Sequence, residues 1–158
     1  MQKNNNRLNR IDEELKKELS DIISYELQNS KITGMVSVTK VKTTPDLRYA
    51  RVYVSILNSK NKKETLLGLK QASGYIRSQI ATRINLRVTP ELVFELDTSA
   101  MLHSLDGIVT RKAIAKVTGI NEALLTHYAN GFRKPRPVQR QRIIDGIHQI
   151  GRELTLIG

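Results

Sequence analysis

The 158-residue chain has no cysteine and no tryptophan. Without cysteine there is no disulfide, no thiolate nucleophile and no Cys-based zinc site. The three histidines, His103, His127 and His148, are scattered without metal-ligand spacing, so neither a metal nor another cofactor is expected. Aromatics are few, five Tyr and two Phe, which argues against a sheet that stacks RNA bases on exposed rings. No run of 18 apolar residues occurs and no charged-then-apolar leader opens the chain, so neither a membrane span nor a secretory signal is expected, and the cytoplasm is the expected location. The carboxylates and histidines form no recognisable acid–base pair and no Walker-type glycine loop is present, so an enzyme is not expected.

What the chain has is positive charge: 26 Lys and Arg against 15 Asp and Glu, a net +11. The excess is shared, with 17 basic against 11 acidic residues over 1–99 and 9 against 4 over 100–158. An excess of this size favours a polyanionic partner through phosphate contacts and counterion release, which makes nucleic acid the leading partner class. The 39% hydrophobic fraction is compatible with one ordinary domain or two small ones.

The pattern along the chain predicts an α+β fold. Residues 1–6, with three consecutive Asn, read as a flexible arm. From Arg7 to about Gln28, Ile11, Leu15, Leu19, Ile22 and Leu27 form the stripe of an amphipathic helix. Arg7 and Arg10 oppose the dipole at its start, which indicates either an intermolecular use or simple tolerance. Met35 to Thr43 is rich in β-branched residues, Thr44-Pro45-Asp46 supplies a turn, and Tyr49 to Leu57 alternates with Ala50, Val52, Val54 and Ile56 on one face. A hairpin with one buried face follows. Asn61 and Glu64 have capping-box spacing, and Leu66, Leu69, Ile76, Ile80 and Ile84 keep a helical period through Ala72-Ser73-Gly74. Gly74 in mid-helix costs about 1 kcal/mol relative to Ala, which points to a bend or to close approach by another backbone. Pro90 then opens a strand with Leu92, Phe94 and Leu96 alternating.

Three separated motifs, Pro45-Asp46-Leu47-Arg48-Tyr49-Ala50-Arg51-Val52-Tyr53-Val54, Ala72-Ser73-Gly74-Tyr75-Ile76-Arg77 and Pro90-Glu91-Leu92-Val93-Phe94, occur in the order and spacing of bacterial ribosome-binding factor A, which residues 7–99 resemble. The resemblance implies a KH-like (type II) α-β-β-α-kink-α-β domain in which an Ala-x-Gly kink, here Ala72 and Gly74, replaces the usual Gly-x-x-Gly loop. It also implies binding to the immature small (30S) ribosomal subunit, maturation of 16S rRNA near its ends and adaptation to cold, with no catalysis. On that reading the kink residues Ala72, Ser73 and Gly74, with Lys70, Arg77, Arg83 and Arg87 on or after the helix pair and Lys40, Lys42, Arg48 and Arg51 on the hairpin, are the RNA-binding candidates. Some of these cations should form one surface that holds folded RNA by phosphate and 2′-OH geometry. The alternative for Arg77 and Arg83 is a solvated position opposite the apolar stripe.

Beyond Ser99 the pattern changes to a small all-α segment over 100–158. Thr110 to Val117, a turn at Thr118-Gly119-Ile120-Asn121, Glu122 to Ala129 and the stop Asn130-Gly131 resemble a phage-repressor-type helix-turn-helix over about 110–137. That resemblance implies duplex DNA as a second partner, with Asn121, Glu122, Thr126 and His127 on the recognition helix and Arg133, Lys134 and Arg136 at phosphates. The alternative is an αα-hairpin that only packs. After Pro137, the spacing of Ile143, Ile147, Ile150, Leu154 and Ile157 predicts a packing or dimerisation helix, so the chain is a monomer or a dimer through that helix. A DNA-binding regulator, or a fusion of the two functions, is thus the alternative to the RNA-binding assembly factor.

Overall fold

In the computed structural model the described residues are 2–59 and 61–157, with side chains from Asn5 onward. They form two compact units, Met1–Asp97 and Thr98–Gly158. The first is α+β: helix α1 (Gln2–Asp21), strands β1 (Met35–Thr43) and β2 (Tyr49–Leu57), helices α2 (Lys62–Gln71) and α3 (Ser73–Arg83), and strand β3 (Glu91–Leu96). β2 is the central strand, antiparallel to β1 and parallel to β3.

The alternation read from β2 is the packing pattern: Ala50, Val52, Val54 and Ile56 are buried, while Tyr49, Arg51 and Leu57 are exposed. The buried row meets Leu15, Leu19 and Ile22 from the first helix, Leu69 from α2, and Ile76 and Ile80 from α3. All three helices therefore share one face of the sheet, where burying a Leu or Ile side chain contributes about 1.5–3 kcal/mol. In β1 the register shifts between Val38 and Lys40, a bulge that returns Val41 to the buried face opposite Val52.

Several local features depart from expectation. The backbone of residues 2–6 is helical, so α1 begins five residues ahead of Arg7; Met1, the first residue of the expected arm, lies outside the described residues. At its other end α1 widens into one π-helical turn, Ile22–Glu26, closed by the Leu27 N–H donating to Ile22 O at 3.0 Å. The wider turn lets adjacent Ile22 and Ile23 both face the core, which a plain α-helical stripe does not predict. At the start of α2, Asn61 Oδ1 accepts from the Glu64 N–H (3.2 Å) as expected, but the Asn61 N–H donates to Ser59 Oγ (3.2 Å), the place a capping box gives to the Glu64 carboxylate.

The break between α2 and α3 falls at Ala72 (φ −81°, ψ −2°), the first residue of the expected Ala72-Ser73-Gly74 kink, while Gly74 itself lies within α3. Bonds of helical span flank it, Ala72 N–H to Gly68 O and Ile76 N–H to Ala72 O, both 3.0 Å. A Cβ placed on Gly74 would meet nothing within 4 Å. Gly34 is the opposite case: φ is +79° and an added Cβ would lie 2.3 Å from Leu57 O. Buried Thr65 ties α2 to the loop before β1, its Oγ1 accepting from the Thr33 N–H (3.2 Å).

The second unit is helical: α4 (Thr98–Ser104), α5 (Arg111–Thr118), α6 (Glu122–Ala129) and α7 (Pro137–Ile157). Thr110 Oγ1 caps α5 through the Ala113 N–H (3.1 Å), and Asn121 Oδ1 caps α6 through the Ala123 N–H (2.8 Å). Between them Gly119 takes the left-handed conformation at φ +70°, the helix-ending geometry that glycine permits. Leu102, Ile114, Leu125 and Ile143 form its core. Ile147 and Ile150 continue the packing, but Leu154 and Ile157 are exposed, so only the first part of the predicted apolar stripe of α7 is used within the unit.

Candidate nucleic-acid interface

Lys40, Lys42 and Arg51 stand on the sheet face opposite the helices. The register sets Lys42 beside Arg51 and Lys40 beside Tyr53, with Lys40 Nζ 5.9 Å from the Tyr53 ring centroid. Lys42 Nζ lies 3.9 Å from Asp12 Oδ2, and the other oxygen of that carboxylate accepts the Thr43 N–H at 2.9 Å. Lys70, Ser73, Gly74 and Arg77 belong to α2 and α3, on the other side of the sheet. The cations of the hairpin strands and of the helix pair are thus split between two sides, because β2 alternation sends Arg51 away from the face the helices cover.

The cations also differ in how their charge is used. Arg77 donates from Nε (3.1 Å) and an Nη (2.8 Å) to Thr89 O, which fixes the loop before β3. Arg83 donates to both carboxylate oxygens of Glu26 and lies 3.6 Å from Glu18, clamping α3 to the end of the first helix. The bond to Glu26 holds its guanidinium charged even more firmly than an ordinary arginine. Arg7, Arg10, Arg51, Lys70 and Arg87 make no ion pair among the described residues.

One cleft of about 530 Å³ brings Arg48 and Arg87 together, with Arg7 as the third basic residue on its wall. The wall formed by the β1–β2 turn is tightly built. Asp46 Oδ1 accepts from the Thr44 hydroxyl (2.6 Å) and from the Arg48 N–H (3.1 Å), and Leu47 is left-handed at φ +60°. The Thr44 hydroxyl, and after it the Arg48 N–H, holds the Asp46 carboxyl below the usual carboxylate range.

In the second unit Asn121, Glu122, His127, Arg133, Lys134 and Arg136 are exposed, whereas Thr126 is half-buried and returns its hydroxyl to Glu122 O (3.1 Å). The His127 ring meets Phe132 edge-on at 6.1 Å. A shallow cleft at Thr126 contains Glu122 and Asp106, the latter paired with Arg111 at 3.0 Å, so carboxylates stand on a surface expected to meet phosphates.

A family model described as ribosome-binding factor A matches residues 7–104. The chain belongs to the ribosome-binding factor A family. Ribosome-binding factor A of Caldanaerobacter subterraneus subsp. tengcongensis is 53% identical over 100 residues, 63% of this chain and 82% of that protein. The Acetivibrio thermocellus member is 51% identical over 94 residues, 59% of this chain and 76% of its own. The crystal structure of ribosome-binding factor A from Thermus thermophilus covers 56% of this chain and 94% of that one, with a TM-score of 0.51 at 22% identity, a likeness of fold.

The member of this cluster that the sequence did not put forward as an RNA contact is Arg7. The helix-dipole argument for an intermolecular use of Arg7 does not apply. With α1 beginning at Gln2, Arg7 lies in the second turn, where the dipole penalty has faded. No helix among the described residues is long and apolar enough to cross a membrane.

Proposed function

We propose that this chain is a non-catalytic, cytoplasmic RNA-binding factor that acts on the small ribosomal subunit during assembly and 16S rRNA maturation, with a role in growth in the cold. The observation that carries this reading is that the unit matched by the ribosome-binding factor A family also holds Arg7, Arg51, Lys70 and Arg87, cations without an ion pair among the described residues. Relatives at about half identity carry the name ribosome-binding factor A. The order α-β-β-α-α-β supports a KH-like fold for this unit, with Ala72-Ser73-Gly74 in place of the Gly-x-x-Gly loop. The open space above Gly74 supports approach of an RNA backbone at that point. Lys40, Lys42 and Arg48 contribute to the electrostatic surface, while Arg77 and Arg83 act mainly by holding the helices and the loop before β3. Phosphate contacts of this kind hold structured RNA without reading its sequence.

The test is co-sedimentation of the full chain with small subunits over a salt series. Association should weaken as salt rises, in proportion to the phosphates contacted. A chain that stays in the supernatant beside free small subunits at low salt overturns the reading.

A second reading concerns residues 98–158. The left-handed Gly119 between α5 and the Asn121-capped α6, with Arg133 and Arg136 exposed beyond it, favours a helix-turn-helix on duplex DNA. A retardation assay of the full chain and of an Arg133→Gln/Arg136→Gln variant on mixed duplexes tests it; equal mobility shifts by the two proteins count against it.

A further inference from the structure

We infer that the cleft between α1, the β1–β2 turn and the loop before β3 receives one unstacked nucleotide of an RNA strand, with its phosphates on Arg7, Arg48 and Arg87 and its base on an apolar floor. The inference rests on the RNA-binding reading above and adds what that reading lacks, a concave site and the form of RNA that fits it.

Three segments distant in sequence each bring one arginine to this cleft. Arg7 and Arg87 have no ion-pair partner among the described residues. Arg48 Nε lies 3.8 Å from Asp46 Oδ2, with both side chains largely in water, a pair too weakly coupled to cancel the arginine for an incoming phosphate. Three guanidinium groups against one carboxylate leave the cleft strongly positive. Asp46 Oδ1 is taken up by the Thr44 hydroxyl and the Arg48 N–H, so that carboxylate serves to fix the turn from which Arg48 projects. A second depression shares Arg7 and Ile11 with the first and adds Arg10 together with Glu14, so the surplus of positive charge is greatest at the first cleft.

The lining decides what form of RNA enters. Between the arginines the wall is Leu8, Ile11, Leu47 and Val88, and Val88 is 43% exposed. A duplex presents sugar and phosphate on a convex surface and leaves such a floor unfilled. A base turned out of its stack offers a flat, weakly hydrated face that covers it. A volume of about 530 Å³ lies within the range of small-ligand clefts and accommodates one nucleotide. The site is also separate from the Ala72-Ser73-Gly74 break. The eleven residues of α3 lie between the break and the loop that carries Arg87, a rise of about 16 Å.

The experiment uses the full chain and fluorescence anisotropy with a labelled eight-nucleotide single-stranded RNA and a blunt RNA duplex of equal length. Three proteins are compared: wild type, Arg7→Gln/Arg87→Gln, and Val88→Ser. For the single strand, the double variant should reduce the slope of log affinity on log salt by about 0.7 for each arginine removed. Val88→Ser should weaken single-strand binding roughly threefold with the salt slope unchanged, because it removes apolar contact and no charge. Duplex binding should change by less than single-strand binding in both variants. Wild-type affinity for the single strand in both variants overturns the cleft, as does equal loss on single strand and duplex. A wild-type chain that co-sediments with small subunits while either result holds leaves the assembly role standing without this site. A wild-type chain that binds neither RNA nor subunits removes both.

Discussion

Gly74→Ala separates what the glycine does for the fold from what it does for a partner. Gly74 is the second residue of α3, its φ is not in the left-handed region, and an added Cβ meets nothing within 4 Å. Alanine therefore brings its helix preference with no steric cost, about 0.5–1 kcal/mol, with the lower figure favoured so near the helix start. The first unit spans 97 residues, Met1–Asp97. At that size the gain raises its thermal midpoint by about 2–8 °C. Calorimetry of the full chain, following the first unit's transition, measures the gain, and co-sedimentation with small subunits measures the cost. The expected outcome is a higher midpoint with weaker association, because a methyl group enters space that an RNA backbone needs. A lower midpoint would refute the account of the local backbone. A higher midpoint with unchanged association would refute the use of Gly74 as a contact point.

The other predictions contrast residues that the structure places in opposite situations. Gly34→Ala should destabilise the first unit by about 2–4 kcal/mol in urea unfolding, since a positive φ is combined with overlap on Leu57 O. In α7, Gly146→Ala puts a Cβ 2.5 Å from Thr118 Cγ2 and should destabilise the second unit by about 1–3 kcal/mol. Gly151→Ala, with open space around it, should stabilise that unit by about 0.5–1 kcal/mol. Lys70→Ala should flatten the salt dependence of subunit association, whereas Arg83→Ala should leave that slope unchanged and lower the urea midpoint, because its charge is matched by Glu26 and Glu18. The hydrogen bond from His103 to Asp106, with the Arg111 charge beside it, lowers that carboxyl's pKa below its ordinary 3.8. A depressed carboxylate contributes stability that is full above 3.8 and is lost as pH falls through the lower folded value. An acid titration of the second unit followed by circular dichroism should show this loss below pH 3.8, and Asp106→Asn should remove that component.

Much of the first unit is legible in the amino-acid order because its signals are local. The alternation of Ala50, Val52, Val54 and Ile56 needs only the two-residue period of a strand, and the Asn61 cap needs only its position before an apolar period. The left-handed Gly119 and the Asn121 cap of the second unit are legible for the same reason. Local signals do not say which neighbour completes a bond. The Asn61 N–H takes Ser59, and within the Ala72-Ser73-Gly74 kink the break settles on Ala72, because several nearby groups satisfy the same backbone requirement and packing chooses among them.

The sequence by itself determined the three strands, the buried row of β2, most of the helices and the positive balance, since these depend on side-chain period and composition. Only the tertiary structure decided which cations remain available. Arg83 and Lys70 are alike as exposed basic residues on helices, yet Arg83 is held by carboxylates from the end of the first helix, far earlier in the chain, while Lys70 has no ion-pair partner among the described residues. Arg7, Arg48 and Arg87 share a cleft only because the parallel pairing of β2 with β3 sets the β1–β2 turn beside the loop that precedes β3, and packing against the sheet brings α1 alongside. Electrostatic attraction and repulsion depend on distance in space, and the fold sets those distances.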